Sequence, residues 1–155
     1  MTSGLAFNIS ACAFLNFNII QKVNVMSMDL VNENGQDWRF TTWAYCNALR
    51  LAEKYGWKRK YELDYYFSND GQTVDREDAY SIGDALLSAL DDIPDREARA
   101  LQTALNPMDL EEVTKYQRGE KIAYKSILEV FSGKNKKEAI TDFAMYCQSG
   151  SFKVF

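Results

Sequence analysis

Histidine is missing from all 155 residues, which removes the commonest general acid/base near neutral pH and the commonest transition-metal ligand. Ser-His-Asp, Cys-His and His-zinc chemistries are excluded. Carboxylate or lysine catalysis stays open, but it needs burial to move a pKa. Proline is scarce, with two residues, and glycine numbers eight, which argues against linkers, collagen-like repeats and long disordered tracts. Phosphate-cradling G-x-G-x-x-G and Walker patterns are absent, as is a G-x-S-x-G nucleophile elbow. The three cysteines, Cys12, Cys46 and Cys147, are an odd number, far apart, with no C-x-x-C pair. They read as buried free thiols in a reducing compartment, hence a cytoplasmic protein.

What is present suits one ordinary globular domain. Apolar residues make up 46% and charged residues 26%, enough to bury a core at this length without metals or disulfides. The expected organisation is a single domain over 1–155. Net charge is −4, which disfavours nonspecific binding to nucleic acid or anionic membrane. Leu5 to Ile20 is apolar, yet no basic residue precedes it and Asn8, Ser10, Asn16 and Asn18 interrupt it, so neither a signal peptide nor a membrane span fits well. Leu15, Phe17 and Ile19, then Val23 and Val25, alternate with polar residues as half-buried strands do. Residues 1–25 are thus expected to form a β-hairpin arm or an N-terminal extension.

Helical spacing dominates the remainder. A helix is predicted from Trp38 to Tyr55, capped by Thr41 or Thr42 and ended by Gly56. A second starts at Thr73 or Asp75, carries Ala79, Ile82, Leu86 and Ala89 on one face, and closes before Pro94. Shorter helices are predicted over 95–105, from Asp109 through Val113 to Tyr116, and from Ile122 to Phe131. Lys134 to Lys137 reads as a solvated connection before a last helix with Ile140, Phe143, Ala144 and Cys147 inward. Phe152 to Phe155 suits a terminal strand. The fold class expected is mainly α within α+β: a bundle of about five helices with a small peripheral sheet.

Trp38, Trp43 and Trp57 are read as core anchors. Lys58-Arg59-Lys60 followed by Tyr61, Tyr65, Tyr66 and Phe67 has the ingredients of a single-strand nucleic-acid surface, but three charges after a helix suit a solvated loop better. Tested as a calcium loop around Gly71, the chain puts Tyr66 at the first position, where a carboxylate is needed. No metal, cofactor or catalytic residue is assigned. Asp91, Asp92, Asp95 and Glu97 form an acidic cluster divided by Pro94, read as a solvated helix end.

Met26-Ser27-Met28-Asp29-Leu30, Leu51 to Trp57, Ser68 to Val74 and Asp78-Ala79, with Phe143, Cys147, Gly150 and Phe152 near the end, resemble a group of small uncharacterised bacterial proteins. The resemblance implies a bacterial origin and a natural start near Met26, and no activity. The functional expectation is a non-catalytic protein-binding module, of the kind formed by immunity or inhibitor proteins that block a toxin or effector. Its expected partner-binding residues are Tyr65, Tyr66, Asp70, Asp91, Asp92, Asp95 and Glu97. Two alternatives are a self-associating assembly protein, such as a homodimer, and a small-ligand domain using Tyr61 to Asp78.

Overall fold

A computed structural model describes residues 27–68, 70–97, 113–117, 120–124 and 126–155. The strands are β1 (Ser27–Asn32), β2 (Asp37–Thr41), β3 (Thr73–Val74), β4 (Val113–Gln117), β5 (Glu120–Tyr124) and β6 (Phe152–Val154). The helices are α1 (Thr42–Lys54), α2 (Leu63–Phe67), α3 (Arg76–Ala89), which runs into a 3-10 turn at Leu90–Asp92, α4 (Ile127–Val130) and α5 (Lys134–Gln148). The class is α+β. Four strands form an antiparallel sheet in the order β2-β1-β6-β3, and β4 pairs with β5 separately.

Period-two alternation gives the large sheet two unlike faces. Met28, Leu30, Val74, Phe152 and Val154 are buried on the helix side, where Trp38 and Phe40 also pack against the core. Arg39 and Asp29, paired across β1 and β2, form an ion pair at 2.6 Å on the outer face. The sheet is therefore a layer of the core, in contrast to the peripheral appendage expected. The C-terminal strand stands between β1 and β3, and a reciprocal pair of backbone bonds joins Asp29 to Phe155 at 3.2 and 2.7 Å.

Several expectations are corrected. Trp38 to Thr41 is strand, and the helix begins after Thr41, whose Oγ1 accepts from the Ala44 N–H at 3.1 Å. The helices predicted through Val113–Tyr116 and from Ile122 to Phe131 give way to β4, β5 and the short α4, in segments rich in β-branched and aromatic residues. Residues 95–97 are not helical. The rest of the 95–105 helix, and the strands expected within 1–25, lie outside the described residues.

Lys134 to Lys137 is the first turn of α5 instead of a connection. A run of lysines opposes the positive end of a helix dipole. Asp95 and Glu97 offset it through Lys137 at 2.8 Å and Lys136 at 3.7 Å, and Gly133 N–H donates to the Pro94 carbonyl.

Among the described helices, the closest packing joins α3 to α5. A Cβ added at Gly83 would stand 2.6 Å from the Ala144 carbonyl oxygen and 2.7 Å from Gln148 Cγ. Gly83→Ala should therefore lower unfolding free energy by about 1–3 kcal/mol, despite a helix-propensity gain of about 0.5–1 kcal/mol. Denaturant melts measure this, and a variant as stable as the parent would contradict the close crossing.

Candidate functional site

Two surface hollows flank different parts of this framework. The first, about 330 Å³, lies between the loop after α1 and the start of α3, and includes Trp57, Lys60, Glu77, Asp78 and Asp84. Asp78 stands at the third position of α3, where its backbone N–H is capped by Asp75 Oδ1 at 2.8 Å. The residue is 2% exposed. One oxygen accepts the Trp57 indole N–H at 2.8 Å and the other the Tyr66 hydroxyl at 2.6 Å. Neutral donors and the helix dipole together hold a carboxylate in the interior.

This arrangement fastens three segments at one point. Lys60 donates to Asp75 and Glu77, both at 3.1 Å. Those bonds, Glu77 foremost, raise its pKa and keep it an ammonium, the reverse of what an amine nucleophile needs. Asp75 is held below the usual carboxylate range, first by the Asp78 N–H and then by Lys60. Arg59 pairs with Glu53 at 2.6 Å, so two cations of the basic run are engaged with carboxylates.

The second hollow, about 540 Å³, lies between the start of β2 and the outer side of α5. Trp38 and Tyr146 form its apolar floor, Met145 stands beside them 60% exposed, and Asp37 and Asp142 supply the charge. Trp38 is fixed by ring packing against Phe40, Phe143 and Tyr146, at 5.6, 5.5 and 5.8 Å. Its indole N–H is buried without an acceptor among the described residues, a state that costs about 1–3 kcal/mol.

Asn32 fixes the geometry of this hollow. Its Oδ1 accepts the N–H groups of Asn34 and Gln36, closing the β1–β2 turn with Gly35 at φ 79°. Its Nδ2 donates to Gln36 and to Ser149 Oγ at the end of α5. The buried amide thus ties strand, turn and helix together.

The predicted partner-binding residues do not make one patch. Tyr65 and Asp70 precede α3 while Asp91, Asp92, Asp95 and Glu97 follow it, and fourteen helical residues separate them by roughly 20 Å. Tyr66 is buried and donates inward to Asp78, so its assignment to a contact surface is corrected. Tyr65 stacks on Tyr61 at 4.2 Å and donates to the Thr73 carbonyl. Asp70 accepts from Ser68, and Asp92 from Tyr55, whose pKa burial and this bond push up to about 12. Asp91 is exposed.

Asp37, Trp38, Asp142 and Met145 were absent from the predicted set. For Asp37 and Trp38 the signal is the alternation of Asp37, Arg39 and Thr41 with Trp38 and Phe40, which marks a strand; nothing local marks Asp142 and Met145 on α5.

The cysteines also differ from expectation. Cys147 is a buried free thiol, but Cys46 is disulfide-bonded, so the argument from thiols to a reducing compartment lapses. Among the described residues no helix is long and apolar enough to cross a membrane. Searches against protein-family models, curated proteins and solved structures find no match.

Asp78→Asn turns an acceptor into a donor facing Trp57 or Tyr66. It should cost about 1–3 kcal/mol in a denaturant melt, and an unchanged midpoint would contradict the buried clasp. Burial also raises the pKa of Tyr45, Tyr66, Tyr146 and Cys147. The folded chain keeps these protons while the unfolded chain releases them, the phenols near pH 10, so stability falls as pH rises. Phenolate absorbance from the buried tyrosines should appear together with loss of near-ultraviolet circular dichroism. Full phenol ionisation with that signal intact would show the burial to be wrong.

Proposed function

We propose that the protein is a non-catalytic binding module that covers a site on another protein through the face containing Trp38 and Met145, as an immunity or inhibitor protein does to a bacterial toxin or effector. The observation that carries this reading is the second hollow. A large exposed thioether beside an aromatic floor, with carboxylates at its margin, joins an apolar anchor to charge that steers an encounter. The first hollow supports the same reading from the other side, since its Asp78 holds Trp57 and Tyr66 and its Lys60 and Glu77 pair with each other.

The test places a photo-cross-linking side chain at position 145 and, as a control, at exposed Tyr80 on α3. In the native host, position 145 should capture one protein that position 80 does not. That protein, once purified, should rebind and lose its own activity on binding. Met145→Arg, with unfolding unchanged, should weaken the complex at least about tenfold, or about 1.4 kcal/mol. Equal capture at both positions, or none at 145, would refute the assignment of this face. A parent that is dimeric by light scattering and becomes monomeric as Met145→Arg would show instead that the face joins two copies.

A further inference from the structure

We propose that the partner enters as an extended, basic segment that adds a fifth strand to the sheet along β2. This rests on the binding reading above and specifies its chemistry.

Among the described residues, strand β2 ends the sheet order, with β1 as its neighbour. An edge strand turns one set of backbone N–H and C=O groups toward its neighbour and the alternate set away from it. Natural edges are commonly blunted by proline, by a bulge or by an inward-facing charge. Here the register runs unbroken from Ser27 opposite Thr41 to Val31 opposite Asp37, and Asp37-Trp38-Arg39-Phe40-Thr41 contains no proline. Its inward side chains are aromatic. The strand thus keeps the geometry that β-addition uses.

The second hollow lies beside this edge and matches what an added strand needs. Alternate side chains of such a strand fall about 7 Å apart on one face, over the floor of Trp38 and the thioether of Met145. The charged groups lining the hollow are Asp37 and Asp142, and Arg39, the cation of the strand itself, is engaged by Asp29. A partner strand with lysine or arginine at alternate positions complements that charge, whereas an acidic strand is repelled.

The experiment uses a fluorescein-labelled peptide of about six residues alternating Lys and Val, with a Glu-Val peptide as its counterpart. Binding to the full chain is read by anisotropy at low salt, and backbone amide exchange is followed in residues 37–41. The Lys-Val peptide should bind and slow exchange in that strand. Asp37→Lys combined with Asp142→Lys should weaken it at least about tenfold, while Asp84→Lys combined with Asp91→Lys, an equal charge change at exposed positions away from the hollow, should not.

Equal binding of the Glu-Val peptide, no binding of the Lys-Val peptide, or binding with unaltered exchange in β2 would each overturn strand addition. A partner that cross-links at position 145 while the β2 amides exchange as in the free protein would also overturn it, and would leave the binding face standing. Loss of the cross-link removes both.

Discussion

The Asp78 carboxylate lies inside the protein with an indole N–H on one oxygen and a phenol O–H on the other, and the arrangement of the helical layer depends on that meeting. A carboxylate removed from water is costly unless its lone pairs are met. Satisfying them brings the loop after α1, the short α2 and the start of α3 to one point. The Asp75 cap adds the backbone of Asp78 itself to the set. Because α3 is fixed there at its beginning, its far side can meet α5 at the close crossing of Gly83 and Ala144.

From α5 the order passes to the sheet. Phe143 and Tyr146 hold Trp38 by ring packing, and Ser149 accepts the amide of Asn32. The edge strand and the hollow beside it are thus set by the same helix that α3 positions. Structure and proposed binding divide the molecule in this way. Around Asp78 the donors of Trp57 and Tyr66 turn inward to one carboxylate, whereas beside Trp38 and Tyr146 the Met145 side chain is exposed.

Local signals were legible wherever a side chain acts on its own segment. The Thr41 and Asp75 caps, the stripe of α3, the inward face of α5 and the terminal strand all follow from spacing and capping. The errors arose where distant residues decide. Trp38 and Phe40 continue the apolar stripe of α1 in sequence, and only pairing with β1 makes them strand. The lysines opening α5 look unsuited to a helix start until Asp95 and Glu97 are placed beside them. Tyr66 looked like a surface aromatic because nothing in its own neighbourhood announces Asp78, twelve residues on. The face with Met145 was invisible for the same reason, since it joins residues more than a hundred positions apart.

A double-mutant cycle of Trp57→Phe and Tyr66→Phe, followed by denaturant melts, tests the shared carboxylate most directly. Either substitution leaves one donor on Asp78, and both together leave it with none. The combined loss should therefore exceed the sum of the two single losses by more than about 0.5 kcal/mol. Losses that simply add would mean that the two side chains do not meet on one buried group.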